Sequence, residues 1–200
     1  WMSMFLYVVM AVWAGIGMYV LLRMLKTTFF AALAGAAIYH LGAFFASQPQ
    51  HLGAVAEAAW FPWLLAALLR LHRRRDWPST ALAGIAVAMM LLPGFPAGYI
   101  PALIFSPLLY AYWSLQPDSH RERQTRQSAL LLLAAFSLGI MLSAVSWLPG
   151  YHVGRQSVAA QRPAEQALAG FPVAAATSLF WPNLFGQFQG STSLPENITF

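Results

Sequence analysis

The sequence predicts an all-α, polytopic integral membrane protein with about six transmembrane helices, followed by a region of interfacial helices. Hydrophobic residues make up 59% of the 200 residues and charged residues only 8%, whereas a soluble domain carries about 25% charged residues. The apolar residues form long blocks, which short polar, proline-rich or arginine-rich stretches separate. This pattern does not suit a water-exposed surface and is typical of a chain that crosses a membrane several times.

Each long apolar block is predicted to form one span, because a helix needs about 20 apolar residues to cross the hydrocarbon core. The predicted spans lie near Met2–Leu22, Thr28–Ser47, Val55–Leu71, Thr80–Leu92, Ala97–Trp113 and Ser128–Pro149. The fourth and fifth blocks meet at Pro93 and Gly94, closely followed by Pro96 and Gly98. Because this cluster interrupts helical hydrogen bonding, a helical hairpin with a tight turn is favoured there, and one broken helix is the alternative.

Basic residues alternate between the loops. They follow the first, third and fifth spans, whereas the loops after the second and fourth spans contain no Lys or Arg. The basic set comprises Arg23, Lys26, Arg70, Arg73, Arg74, Arg75, Arg121, Arg123 and Arg126. Since Lys and Arg are enriched in cytoplasmic loops, the basic loops are predicted to be cytoplasmic, and Trp1 and everything after Pro149 to be outside. The net charge of +5 is thus explained by topology, and no nucleic acid is expected as a partner.

The chain is predicted to consist of a transmembrane region, residues 1–149, and an extracytoplasmic interfacial segment, residues 150–200. The second region mixes Pro, Gln, Ser and aromatic residues with short apolar pieces. It is too broken to span a membrane and too apolar for a plain linker, which favours helices lying at the lipid headgroups. Because the chain opens on Trp1 inside an apolar run and stops at Phe200 in a polar tail, we expect it to be a slice of a larger protein.

Three ionisable residues are expected at or near the outer surface. His40 falls in the outer half of the second span, His51 in the following loop, and Glu57 at the start of the third span. A histidine and a carboxylate at one membrane face can perform general acid–base chemistry or orient a polar substrate. The alternative is that Glu57 is a helix-start carboxylate stabilised by the helix dipole and that His40 bonds a neighbouring helix.

Two arginines, Arg155 and Arg162, are the basic side chains assigned to the outside. A guanidinium group near the headgroups suits a phosphate or pyrophosphate, which it binds through two parallel hydrogen bonds. The alternative is ordinary contact with lipid headgroups, or pairing of Arg162 with Glu165 three residues later.

Other chemistry is not indicated. The absence of Cys excludes disulfides, thiolate metal sites and a cysteine nucleophile. The sequence has no Walker-type or GxGxxG loop and no His, Asp and Glu at metal-ligand spacing. No cofactor and no metal are therefore expected, and the residues alone assign no catalytic group.

Two stretches carry motifs that recur together. The first joins a small-residue loop, a W-x-P-x-x-L segment and an arginine, at Tyr39–Ser47, Ala58–Leu65 and Arg70; the second comprises Trp147–Pro149, Arg155 and Phe180–Gly186. In order and spacing these motifs resemble those of bacterial YfhO-like membrane proteins over most of the chain. This family is similar in architecture to the GT-C glycosyltransferases.

The resemblance implies an enzyme of the bacterial inner (cytoplasmic) membrane. Such an enzyme takes a sugar from a polyprenyl-phosphate carrier and attaches it to a cell-envelope polymer on the outer face. The implied partners are membrane lipids, the polyprenyl-phosphate sugar and the polymer acceptor. It also implies that Arg155 and Arg162 bind the carrier phosphate, and that Glu57 and His51 line the outer pocket.

The chain departs from the family in two places. The family often has a Gly-His-Pro-Gln-like turn where this chain has Gly94–Ala97, so a polar pair is missing there. GT-C enzymes also keep a catalytic aspartate in the first outer loop, whereas Asp76 and Asp118 both fall in predicted cytoplasmic loops. Either the catalytic loop lies upstream of Trp1, which we favour, or this chain is not catalytic.

Two other functions stay open from the sequence. A multispan transporter or flippase would use the break near Gly94, because discontinuous helices build transport sites at the membrane midplane. Against it, no acidic residue lies at the centre of a predicted span, and the halves show no evident symmetry. A non-enzymatic scaffold for envelope assembly would need no buried polar pocket.

Overall fold

A computed structural model describes residues 1–115 and 121–156 of the chain. This part is helical and contains no strand. The helices are α1 Met2–Met24, α2 Phe29–His40, α3 Ala43–Ser47, α4 Leu52–Arg74, α5 Trp77–Leu91, α6 Pro96–Leu115, α7 Arg121–Leu142 and α8 Ala144–Gln156. The chain divides into two compact units, residues 1–151 and 152–200. Of the second unit, the described residues are 152–156.

Three helical segments are long and apolar enough to cross a membrane, namely Met2–Met24, Phe29–Ser47 and Leu52–Arg74. A fourth is added if Arg126–Leu142 and Ala144–Val153, which are bent by 60°, count as one span. The prediction of an all-helical membrane protein is therefore confirmed. The finer prediction of six crossings stays a prediction, since α5 is apolar but has only 15 residues.

Helix α4 is the centre of the first unit, where α1, α5 and α6 pack against it. Helix α1 runs parallel to α4, because Trp13 stacks on Trp63 and, further along both helices, Leu21 packs with Leu69. Helix α5 turns back along α4, and α7 packs against both α5 and α6. This helix order is the expected one for a chain that alternates its direction.

The basic residues gather at one end of this bundle, which we call the basic end. Its described members are Arg23, Lys26, Arg70, Arg73, Arg74, Arg75 and Arg126. Contacts between helix termini support this grouping, because His72 on α4 lies 3.4 Å from the Ser114 hydroxyl on α6, and Arg70 Nε donates to Ser79 Oγ on α5 at 3.2 Å. The other end, where α4 begins and α5 meets α6, is called the opposite end.

A proline inside α4 is compensated by a neighbouring helix. Pro62 is buried and has no backbone N–H, so the carbonyl of Ala58 loses its ordinary partner four residues on. The Tyr39 hydroxyl, from α2, donates to that carbonyl oxygen at 2.8 Å. Membrane helices tolerate proline where a neighbouring helix satisfies the freed group in this way, so this bond fixes α2 against α4.

Helices α5 and α7 approach closely because both have a glycine at their contact. A Cβ built on Gly139 would stand 2.5 Å from Val87 Cβ, and one on Gly84 would stand 3.0 Å from the Ala135 carbonyl oxygen. Small residues at a helix contact are the usual means of close packing in membranes, where lipid supplies no hydrophobic driving force.

Two breaks differ from the sequence-based expectation of continuous helices. The second predicted span is divided, since α2 ends at His40 and α3 begins after Gly42, whose backbone is extended. The sixth is bent at Ser143, where the Ser143 hydroxyl and the Trp147 indole N–H both donate to the Ile140 carbonyl oxygen, at 3.1 and 3.2 Å. These side-chain bonds replace backbone bonds that the bend removes.

Candidate functional site

An apolar groove opens at the opposite end of the bundle. Helix α4 forms its floor, α2 and α3 form one wall, and α6 forms the other. Its volume is about 720 Å³, within the range of roughly 300–1,000 Å³ typical of ligand pockets. The lining residues are mostly aliphatic or aromatic: Ile38, Tyr39, Gly42, Ala43, Phe44, Phe45, Ala54, Glu57, Ala58, Phe61, Met90, Phe95, Gly98, Pro101, Ala102 and Phe105.

Both walls of the groove end in side chains that face outward from the bundle. Ile38 on α2 is 75% exposed and Phe105 on α6 is 65% exposed. In a helix bundle with apolar spans, such side chains face the lipid. The mouth of the groove therefore opens on the side of the bundle, between exposed apolar side chains.

Glu57 is the charged residue among those that line the groove. It is 1% exposed and lies five residues into α4, about 8 Å from the start of that helix. Its Oε1 accepts a hydrogen bond from the Phe95 N–H at 2.8 Å, and Phe95 directly precedes α6. A carboxylate at a helix N-terminus is stabilised by the helix dipole, so Glu57 joins α4 to the start of α6.

The second carboxyl oxygen of Glu57 has no such role. Oε2 is buried and has no hydrogen-bond partner among the described residues. The Tyr99 N–H also faces the carboxyl group, although its hydrogen bond goes to the Phe95 carbonyl oxygen at 3.4 Å. A buried acceptor without a donor is costly, and ionisable groups within membrane segments usually mark functional positions.

Gly98 makes the position of this oxygen possible. A Cβ built on Gly98 would overlap Glu57 Oε2, so any other residue at this position would displace the carboxyl group. Gly98 lines the groove together with Glu57. The α6 wall is thus shaped around the carboxyl group.

The charge of the groove restricts what it can bind. Among the described residues that line the groove there is no Lys or Arg, so a bare phosphate would meet a carboxylate and no cation from this part of the chain. A hydroxyl or amine group can donate a hydrogen bond to a carboxylate or give it a proton. The groove therefore suits an apolar chain whose polar end is a hydrogen-bond donor.

The two histidines expected beside Glu57 lie elsewhere. His51 precedes α4, is exposed, and donates from Nδ1 to Gln48 Oε1 at 2.8 Å. Its ring centroid is 6.3 Å from that of Phe95, so it stands near the groove without lining it. His40 donates from Nδ1 to the Ala36 carbonyl oxygen of its own helix at 2.9 Å and packs on Gly15 of α1, so this hydrogen bond does not go to a neighbouring helix.

The two candidate phosphate-binding arginines are not tested by this geometry. Arg155 is exposed near the end of α8, in the second unit. Arg162 lies outside the described residues, as does most of the predicted interfacial segment. Among the described residues, no group of three or more His, Cys, Asp or Glu is placed to hold a metal ion.

Comparison with family models, with curated proteins and with solved structures finds no match for the chain. The resemblance to YfhO-like proteins therefore rests on the sequence motifs alone.

Sequence reasoning missed two residues of the site. Tyr39 was not predicted as a site residue. A tyrosine near a proline-containing apolar helix can nevertheless donate a hydrogen bond to the carbonyl oxygen that the proline leaves without a partner. Gly98 was noted only as part of a helix break, while its contact with Glu57 depends on how α4 and α6 pack. Only the cluster of glycines and prolines at residues 93–98 signalled a special backbone there.

Proposed function

We propose that this protein is a membrane-embedded glycosyltransferase of GT-C type, which transfers a sugar from a polyprenyl-phosphate donor to a cell-envelope acceptor. The observation that carries this proposal is the groove with a buried carboxyl group, Glu57, at the end of the bundle away from the basic residues. With the basic end cytoplasmic, as the enrichment of Lys and Arg in cytoplasmic loops favours, the groove lies near the outer face, where lipid-linked sugars are used.

Glu57 is proposed as the general base of the transfer. The acceptor oxygen forms a bond to the anomeric carbon of the sugar while the bond between that carbon and the phosphate oxygen breaks. The acceptor proton passes to Glu57, and the polyprenyl phosphate leaves with the electron pair. Proton transfer to a positioned carboxylate contributes typically about 10²–10⁴-fold to a rate, and this assignment would supply within the chain the carboxylate that the outer segments lacked.

Two features favour this function over its rivals. The break between α5 and α6 lies beside Glu57 near the opposite end, whereas a transport site is expected at the midplane, with polar groups around it. A scaffold has no use for a buried acceptor without a partner, because such a group costs stability. Arg155 stays the candidate for the donor phosphate, on the sequence argument.

The test uses membranes that contain the protein, supplied with radiolabelled polyprenyl-phosphate sugars. Glu57→Gln keeps an oxygen for the Phe95 N–H but removes the base, so sugar transfer should fall at least about 100-fold. Arg155→Ala should lower transfer through weaker donor binding, seen as a raised KM. Asp76→Asn, a carboxyl change at the basic end, is the matched control and should leave transfer unchanged.

The outcomes separate the candidates clearly. Full transfer in Glu57→Gln at equal protein levels would remove the base assignment. An absence of transfer with every donor, together with movement of lipid or solute across the membrane, would favour the transporter.

A further inference from the structure

The carboxylate in the groove and the phosphate of the donor would repel each other, because both are negatively charged. A polyprenyl phosphate carries a negative charge next to its chain, and a phosphate site is normally built from Arg, Lys or backbone N–H groups. The described residues that line the groove include Glu57 and contain no Lys or Arg. If the donor chain lay here, its phosphate would approach a carboxylate in a medium of low dielectric, where repulsion between like charges is strongest.

We propose that the groove binds a lipid alcohol, a membrane lipid whose polar end presents a hydroxyl group to Glu57. The apolar walls take the chain, and Glu57 accepts the hydroxyl hydrogen bond. Where the inference makes this lipid the acceptor of sugar transfer, it rests on the proposed function. The binding preference itself stands on the groove alone.

The walls support an extended chain. Phe61 lines the groove about one helical turn from Glu57, and Phe105 lines it about two and a half turns from the start of α6. The small residues Ala58 and Ala102 also line the groove. A chain lying in the groove would replace lipid contacts at the mouth with close contacts to aromatic and small side chains.

The carboxyl group must turn slightly to meet the ligand. Oε2 is buried against Gly98, while Oε1 is held by the Phe95 N–H at 2.8 Å. Rotation about the last side-chain torsion, which is broad for Glu, would move Oε2 from Gly98 toward the groove and, because both oxygens turn together, would lengthen the bond from the Phe95 N–H to Oε1. The hydroxyl of the ligand would then supply the donor that Oε2 lacks.

The test compares three probes that share one chain: oleyl alcohol, oleyl phosphate and octadecene. Their binding to the purified protein in detergent is measured by displacement of a radiolabelled oleyl alcohol. The wild-type protein should bind the alcohol about tenfold more tightly than octadecene, the effect of one hydrogen bond to a charged acceptor. It should bind the phosphate more weakly than the alcohol.

Two substitutions of Glu57 and two tryptophan substitutions locate the effect. Glu57→Leu should reduce the preference for the alcohol over octadecene to near unity, and Glu57→Gln, which keeps the bond to Phe95, should retain part of it. Ala58→Trp should weaken the binding of all three probes, because the indole fills the groove. Leu133→Trp, at a position of α7 that is 64% exposed, should leave the binding of each probe unchanged.

Equal binding of the three probes, or a preference for the phosphate, would overturn the inference. A preference for the alcohol that survives in Glu57→Leu would also overturn it, because another group would then be the acceptor. If alcohol preference depends on Glu57 but no sugar transfer occurs with any donor, the proposed function fails and the binding site stands. If Glu57→Leu does not fold, two other results decide the question. These are the partial loss of alcohol preference in Glu57→Gln and the weaker binding of all three probes to Ala58→Trp.

Discussion

The two ends of the bundle handle their polar groups differently. At the basic end, Asp76 Oδ1 accepts the Ser79 N–H at 2.8 Å, and Ser79 Oγ accepts from Arg70 Nε at 3.2 Å. Hydrogen bonds from the Ser79 side chain and backbone hold the pKa of Asp76 below its ordinary value. At the opposite end, Glu57 uses one oxygen to join two helices and leaves the other without a donor.

This difference separates structure from candidate function. The hydrogen bonds among Asp76, Ser79 and Arg70 cap α5 and join it to α4, so these polar groups serve to hold the helices together. Arg75 Nε is also buried without a partner among the described residues, but Arg75 does not line the groove. Glu57 lines the groove, so its free acceptor is the better sign of a ligand.

The largest effect is expected from Gly98→Ala. The added Cβ would overlap Glu57 Oε2, and overpacking of this kind costs about 1–3 kcal/mol. The measurement is thermal unfolding in detergent. Gly150→Ala is the matched control, since a Cβ there meets nothing within 4 Å and an alanine in an exposed helix stabilises by roughly 0.5–1 kcal/mol. Equal effects of the two changes would contradict the close contact of α6 with Glu57.

The next effect concerns the bond between Tyr39 and Ala58. Tyr39→Phe leaves the Ala58 carbonyl without a donor, because Pro62 cannot supply one, and should cost about 1–2 kcal/mol. Pro62→Ala restores a backbone N–H, so the double variant should lose less stability than the sum of the two single variants. A double-mutant cycle of unfolding free energies measures this coupling. Strict additivity would mean that the two groups act independently.

A smaller effect is expected from Ser146→Ala. The Ser146 hydroxyl donates to the Leu92 carbonyl oxygen at 2.9 Å, which lies at the end of α5, where helical carbonyls lack partners. Bonds of this kind between membrane helices average about 0.6 kcal/mol, so unfolding should be only slightly easier. A loss as large as that of Gly98→Ala would show that this bond, and not Glu57, holds the turn between α5 and α6.

The smallest effect is expected at the basic end and depends on pH. Because the pKa of Asp76 is lowered on folding, its contribution to stability is present above its ordinary value of 3.8 and is lost as the pH falls through the lowered value. Wild-type protein should therefore lose thermal stability relative to Asp76→Asn only when the pH drops below about 4. Unfolding temperatures at pH 3 and pH 6 test this, and an equal difference between the two proteins at both values would contradict it.

Much of the fold could be predicted from apolar blocks and from the spacing of basic residues. The first three predicted spans coincide with the three helical segments that are long and apolar enough to cross a membrane, because a helix satisfies its own backbone bonds in lipid and its length is set by the membrane. The break at Gly42 and the bend at Ser143 could not be predicted in the same way. Both depend on side chains and neighbours that compensate lost backbone bonds, and neither position carries a proline.

The site was predictable only in part. Glu57 was found because a carboxylate in a spanning segment is unusual. A role at the start of its own helix was expected, whereas its hydrogen bond comes from Phe95, which directly precedes α6. His51 and His40 were grouped with it by sequence position, whereas their hydrogen bonds go to Gln48 and Ala36. The contact of Gly98 with Glu57 could not be predicted, because it depends on the packing of α6 against α4.

The shortness of α5 bears on the membrane around the site. Its 15 residues extend about 22 Å, some 8 Å less than the roughly 30 Å of a typical hydrocarbon core. A crossing by α5 therefore requires the bilayer to thin locally or the Pro93–Phe95 turn to lie below the headgroups. Hydrophobic mismatch of this kind would favour thinner membranes for the protein, and it would draw water and headgroups inward toward the Glu57 carboxyl group, whose Oε2 lacks a donor among the described residues.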